Sequence, residues 1–358
     1  MNAVQIFFIL IISIALMNHV IVIPFLLETA QRDAWISTLL TIVALVLWLP
    51  IVYFIMKQSK QKHLFVWLKT TFGRPLAYGI SVLMSLYLLL ISFVTIKDTI
   101  TFTTTSYLTS TPNFVILIVL SALCFCNAYL GLSSVAKTAG MIFPFVILLG
   151  IFVALATTPF KDYSLLKPVL ENGWSPVFKS MIYAGAGYAE ALLILWVQHQ
   201  VDSKISFWKL TLFAILAASL TIGPTIGAIT EFGPSEAASL RYPAFEQWRV
   251  ISLGAYLEHF DFLSIFQWLS GAFIRISILT ALIPEMFHIT TRQSRLWILI
   301  FVYIVIGLAV MYPMSDDVFL EKLATFILPI SCFFLIAMSL LIAFCALLAR
   351  IKERRRTK

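Results

Sequence analysis

Ala3-Val-Gln-Ile-Phe-Phe-Ile-Leu-Ile-Ile-Ser-Ile-Ala-Leu-Met-Asn-His-Val-Ile-Val-Ile-Pro-Phe-Leu-Leu27 runs for 25 residues without a charged side chain. Coiled into an α-helix at about 1.5 Å per residue, such a run is long enough to cross the ~30 Å hydrocarbon layer of a bilayer. It lacks a basic start, is too long for a signal peptide, and is followed by many runs like it. The 358 residues are 61% hydrophobic and only 12% charged, with a mean hydropathy of +0.97. A soluble fold cannot hide that much apolar surface. A bilayer can, provided each crossing satisfies its own backbone hydrogen bonds, which leaves helices or closed barrels. Runs of about 20 residues are twice the length of a spanning strand. The fold class is therefore an all-α integral membrane protein, and a soluble enzyme is excluded.

Ten spans follow, near 3–27, 34–56, 76–108, 113–130, 138–158, 177–198, 206–230, 253–284, 294–312 and 323–349. The third exceeds a perpendicular crossing, so it tilts or projects. A short amphipathic piece near His63–Phe72 suits the interface. With the N-terminus inside, inner loops and tail carry sixteen of the 25 Lys and Arg residues, and outer loops seven. That bias puts both termini on the cytoplasmic side and requires an even number of crossings. The net charge of +8 is thus topological rather than a nucleic-acid footprint, and the basic tail 350–358 suits anionic lipid.

Ten spans divide into five and five, and an odd-numbered half repeated in sequence is inverted in the membrane. Such 5+5 inverted repeats, with broken helices at the midplane, are a transporter architecture. The expected organisation is one transmembrane permease-like domain, 1–358, with repeats of about 1–158 and 176–349. The repeat-initiating helices are then the first and the sixth. The sixth carries Tyr183-Ala-Gly185-Ala-Gly187-Tyr188-Ala-Glu190 in mid-span, and an interruption is expected within Tyr183–Tyr188. The first carries Met17-Asn18-His19 and then Pro24, where it too can break. Close helix packing explains glycine pairs equally well.

The informative side chains are the ionisable ones inside spans: Lys97 and Asp98 on the third, Glu190 on the sixth and Arg275 on the eighth. Each costs about 3 kcal/mol at a helix centre, a penalty offset by pairing or by a wet cavity. Lys97 and Asp98 lie about 100° apart on their helix, so their partners belong to other helices. Arg275 and Glu190 both sit near mid-span and form a plausible pair. Tyr87, Ile91, Thr95 or Ile96, and Asp98 recur at helical spacing and can line one face of a cavity. Two readings stand: a structural ion pair, or a site for a zwitterion in which Arg275 takes the carboxylate and an acid takes the amine. On the second, Arg275 faces a cavity between the third, sixth and eighth helices, beside Glu190 or Asp98. A Thr-rich run from Thr99 to Thr109 is either vestibule or packing. Asp316-Asp317 reads as a solvated loop pair.

No metal-spaced His/Cys cluster, nucleophile elbow or phosphate loop is present in the sequence, so no cofactor, metal or catalytic site is expected. Cys124, Cys126, Cys332 and Cys345 all lie in apolar spans without redox spacing.

The string Tyr242-Pro243-Ala-Phe-Glu246, then Ile251-Ser252-Leu-Gly254-Ala-Tyr256-Leu-Glu258-His-Phe-Asp261, then Trp268 and Arg275, resembles the spore germination permease family, the B-type subunits of germinant receptors. Asp33-Ala-Trp35-Ile-Ser37, Leu166-Lys167-Pro168-Val-Leu170-Glu-Asn172-Gly173 and Gly187-Tyr188-Ala-Glu190 agree in order with that family, the last resembling its Gly-x-Glu. The resemblance implies membership of the amino acid–polyamine–organocation superfamily and a ten-helix inverted repeat. It implies residence in the spore inner membrane beside a membrane A subunit and a lipoprotein C subunit. The implied role is to sense a small nutrient, often an amino acid, in a pocket between the first, third, sixth and eighth helices. Asn18, Tyr87, Ile91, Lys97, Asp98, Gly187, Tyr188, Glu190 and Arg275 are the candidate substrate-binding residues. The first helix departs from related permeases in having no glycine at Ala15–Val20. The rival functions are a secondary amino-acid/proton transporter and a structural subunit that binds no ligand.

Overall fold

The computed structural model describes residues 1–251 and 260–356; Ser252, Gly254, Tyr256 and Glu258 of the family-like string lie outside them. The described residues form helices and no strand. In chain order they are α1 (Ala3–Leu16), α2 (Ile23–Ala30), α3 (Ala34–Ser59), α4 (Leu64–Phe72), α5 (Arg74–Ser106), α6 (Asn113–Leu130), α7 (Leu132–Ala156), α8 (Trp174–Tyr188), α9 (Ile194–Val197), α10 (Phe207–Phe232), α11 (Pro234–Ser239), α12 (Pro243–Arg249), α13 (Asp261–Glu285), α14 (Arg292–Met311), α15 (Asp316–Lys322) and α16 (Leu328–Arg356). A π-helical turn, Met17–Val22, joins α1 to α2, and a 3-10 turn, Ala189–Leu193, joins α8 to α9.

Nine helical segments among the described residues are long and apolar enough to cross a membrane. The first of them, Ala3–Ser59, is 57 residues long. As one straight helix it would extend about 85 Å, far beyond a bilayer core. It does not stay straight. Gln31 takes a left-handed φ of 46°, and a 3-10 turn at Gln31–Asp33 follows. Both ends of the segment then meet one stretch of chain: the Met1 amino group donates to the Gln200 carbonyl (2.7 Å), and the Gln198 amide donates to Ser59 Oγ (3.2 Å). The far end of α16 arrives at the same place, where Lys60 Nζ stands 3.6 Å from Glu353. Both chain ends therefore share one end of the bundle, called here the Met1 end.

Burial sorts the segments. In the most apolar stretch of Ala3–Ser59 and of Trp174–Gln200, 78% of residues are buried inside the protein; in Leu132–Phe160 the share is 6%. The first and sixth spans are thus the heart of the bundle. Leu47, Met141, Phe145, Leu130 and Leu308 stand exposed on outer helices, an apolar perimeter suited to acyl chains rather than water. Against expectation, α8 continues unbroken through Tyr183–Tyr188, and the change of winding falls at Ala189–Leu193. Glycine here lets helices approach; it does not end the helix. Gly187 shows why: a Cβ there would lie 2.0 Å from Asn18 Oδ1. In the first span Pro24 has no N–H to donate to the carbonyl four residues earlier, which favours the wider π winding around Asn18.

Candidate functional site: a buried ion pair between rewound helices

Arg275 projects from α13 into the centre of the bundle, where it and Glu190 are both fully buried. The guanidinium grips the carboxylate with two parallel hydrogen bonds, Nη1 to Oε2 and Nη2 to Oε1, each 2.6 Å. Nη1 also donates to the Ser13 carbonyl (2.7 Å) and Ser13 Oγ (3.0 Å), and Nε donates to Thr95 Oγ1 (3.1 Å). Tyr87 completes the carboxylate shell by donating to Glu190 Oε1 (3.1 Å). Bidentate guanidinium–carboxylate geometry is the strongest form of this pairing, and satisfying the remaining donors is what makes a buried charge tolerable.

Local winding positions these groups. Glu190 belongs to the 3-10 turn rather than to α8. Ser13 closes the last α-helical turn before the π segment. Tyr87, Ile91 and Thr95 stand at intervals of four on α5, all buried. Beside the pair, Asn18 Nδ2 donates to the Ala184 carbonyl (3.4 Å), while its Oδ1 is buried without a hydrogen-bond partner. The structure therefore gathers Arg275, Glu190, Tyr87 and Ile91, and sets Asn18 against Gly187. The Tyr188 hydroxyl lies beside the Asn18 and Thr221 side chains and donates to the Ala218 carbonyl (3.3 Å).

Two expected residues lie apart. Asp98 is not a neighbour of Arg275: it accepts from Arg241 Nη2 at 2.6 Å. Arg241 also donates from Nε to Asp316 at 3.0 Å, so Asp316 is an ion-pair partner rather than a merely solvated acid. Burial works against the Arg241 charge, but Asp98 and Asp316 hold its pKa above the usual value. Burial, and then the Asp98 charge, push the neighbouring Tyr242 phenol up as well. Lys97 is half-buried and makes no hydrogen bond or ion pair among the described residues. Arg241 is one of the seven outer-loop cations in the charge count, and its position in that loop gives no sign of its pairing with Asp98 and Asp316. The signal was Asp98 itself, a carboxylate inside a span that needed a partner.

Arg275 is enclosed by its partners, with none of its surface exposed. A cavity of about 490 Å³ lies instead at the end opposite Met1, lined by Thr101, Thr105, Arg241, Tyr242, Phe245 and Asp316 among others. The Thr-rich run serves both packing and this vestibule: Thr95, Thr99 and Thr103 each donate back to the carbonyl four residues earlier, while Thr101 and Thr105 face the cavity. Between vestibule and ion pair stands an aromatic layer in which Phe102 stacks on Trp268 with centroids 3.6 Å apart, flanked by Tyr242 and Phe245.

Two central spans rewound around a buried charge pair, in a bundle with nine apolar helical segments of membrane-crossing length among its described residues, define a multi-pass membrane protein. The family model described as "Spore germination protein" matches residues 1–319, and the chain belongs to that family. It is 42% identical over 353 residues, 99% of each chain, to Spore germination protein XB of Bacillus anthracis. It is 24% identical to Spore germination protein A2 of Bacillus subtilis (strain 168), covering 86% of this chain and 87% of that one. Putative spore germination protein YfkT of the same strain is 27% identical over 70% of this chain and 69% of its own. Family membership supports a role in germination.

Proposed function

We propose that this protein is the nutrient-sensing B-type subunit of a germinant receptor, and that it binds a small zwitterion, an amino acid by class, at the Arg275–Glu190 pair. The observation that carries the reading is the bidentate pair itself, placed where two helices leave α-geometry. Each half of the pair is the receptor for one end of a zwitterion. A ligand carboxylate replaces Glu190 on Arg275, and the ligand ammonium takes Glu190 and the unpartnered Asn18 Oδ1. In the pair as it stands, the protein's own Glu190 carboxylate occupies the place on Arg275 that the ligand's carboxylate takes. The vestibule is the way in, and the Phe102–Trp268 stack must part to admit the ligand.

The chain crosses the inner membrane of the spore ten times as two inverted repeats, near 1–158 and 176–349. Packing supports this: α1 lies on α7 as α8 lies on α16, and α5 packs against α13, their counterparts in the two halves. Both termini face the spore core, and an A subunit and a lipoprotein C subunit are the partners. Thermal denaturation of the purified receptor across a panel of free amino acids tests the binding. A ligand that binds only the folded state raises apparent stability. No shift for any nutrient that triggers germination returns the pair to a purely structural role. Accumulation of labelled amino acid by reconstituted vesicles would make the protein a transporter instead.

A further inference from the structure

We propose that the Met1 end of the bundle carries a binding site for a zinc-class divalent cation, formed by His63, His199 and Glu285. The three residues are far apart in sequence and show no metal-ligand spacing, yet the fold brings them together. His63 precedes α4, His199 ends the sixth span, and Glu285 ends α13.

Their donor atoms all lie within 4.8 Å of one another. Glu285 Oε1 is 3.0 Å from His199 Nε2 and 3.5 Å from His63 Nε2. In a tetrahedral zinc site, with bonds of about 2.0–2.2 Å, neighbouring ligand atoms stand about 3.3–3.6 Å apart, so one edge fits and the other needs to open by only about 0.3 Å. Two imidazoles and one carboxylate are a donor set that suits zinc.

Polar accounting points the same way. His63 is 6% exposed; its Nδ1 has no hydrogen-bond partner, and its Nε2 has only the long, poorly aligned contact with Glu285. A buried imidazole rarely goes unsatisfied. His199 Nε2 faces both the Glu285 carboxylate and the Gln200 amide nitrogen, the latter at 2.9 Å. One nitrogen cannot donate to the first and accept from the second. A half-turn of the Gln200 amide also removes this conflict, but it leaves the buried His63 ring as it is; a metal held by both histidines meets both. On the far side of the carboxylate, Arg295 Nη2 stands 3.7 Å from Oε2, which orients Glu285 and leaves Oε1 for the ion. The exposed His288 ring lies 4.4 Å from that of His63, at the mouth of the site, where it or water takes the fourth position. Arg295 is a nearby cation, so it moderates the affinity.

A bound ion ties together the link before α4, the end of the Glu190 helix and the end of the Arg275 helix. It therefore holds the Met1 end shut, whatever ligand the central pair accepts.

The test uses full-length protein purified through a tag free of histidine and stripped with EDTA. Zn²⁺ is added in a calorimetric titration and Co²⁺ in a visible-absorption titration. The expected result is one ion per chain, tetrahedral Co²⁺ bands, and a thermal shift with Zn²⁺ that Mg²⁺ does not give. His63→Ala and His199→Ala each weaken binding by at least about 10-fold. Failure of the wild-type protein to take up Zn²⁺ saturably overturns the proposal and depends on no variant folding. Uptake that both histidine variants leave unchanged overturns it too.

Discussion

Removing the guanidinium of Arg275 strands a carboxylate at 0% exposure, with Tyr87 left as its one side-chain donor among the described residues. Losing one member of a buried pair costs about 3–5 kcal/mol, whereas replacing both members with apolar groups of similar volume is often neutral. Arg275→Ala is therefore expected to lower the unfolding temperature sharply, and Glu190→Leu/Arg275→Met to recover most of the loss. Thermal unfolding of the detergent-solubilised protein measures both. If the double variant recovers stability and the germination response together, the pair is structural; recovered folding with a lost response assigns it to the ligand. Arg275→Lys keeps the charge but not the two-pronged grip. It is expected to leave protein levels unchanged and move the nutrient dose–response to higher concentration. Gly187 supplies a second residue-scale test. Its missing Cβ leaves room for Asn18, so Gly187→Ala forces an overlap worth roughly 1–3 kcal/mol. Adding Asn18→Ala should relieve it, and a double-mutant cycle reports the coupling. Ion-pair membership was legible at this scale for Arg275 and Glu190, because uncompensated charge in a span demands a partner. Ser13 was not, since a serine in an apolar helix carries no such demand.

Individual helices reveal which distinctions the sequence encodes. The apolar runs marked the segments well, and Asn113–Leu130 begins and ends where it was expected. The sixth span unwinds just after the expected Tyr183–Tyr188 segment, because Gly187 is a contact point and not a weak point in the helix. The rewinding at Ala189–Leu193 depends on how Glu190 reaches Arg275, a tertiary matter. The metal-ligand cluster was invisible for the same reason: its three members meet only after folding. The aromatic layer likewise comes from three elements: Phe102 on α5, Phe245 on α12 and Trp268 on α13. Trp268 precedes Arg275 by two helical turns, and Phe102 lies two turns from Thr95, so the stack covers the pair from the vestibule side. Phe102→Ala is expected to uncover it. With Thr95→Cys as reporter, in a background whose exposed Cys126 is changed to serine, reaction with a small polar thiol reagent should speed up at least several-fold. An unchanged rate would mean that the stack is packing rather than a gate.

Across the whole molecule, the sequence's charge asymmetry and the structure's ends are independent facts that can be set against each other. Lys57, Lys60 and Lys62 flank the turn after α3, Lys204 follows Gln200, and Arg292 and Arg295 follow α13, all at the end that holds Met1 and Glu353. Arg32, Lys161, Lys167 and Arg241 occupy the other end, and Arg241 is already neutralised by Asp98 and Asp316. Basic residues resist translocation, so the Met1 end should face the cytoplasm or spore core. The vestibule then opens outward, where an external nutrient arrives, and the His63–His199–Glu285 cluster lies on the inner side. The orientation is checked by single cysteines in the Cys126→Ser background, at Ser203 beside the Met1 end and at Ser164 in the loop between α7 and α8. In sealed right-side-out vesicles, an impermeant maleimide should label Ser164→Cys and spare Ser203→Cys until detergent is added. The reverse pattern would turn the protein over. It would place the vestibule inside and remove the route by which a nutrient reaches the central pair. Labelling of both positions from one side would instead contradict the odd number of crossings between them.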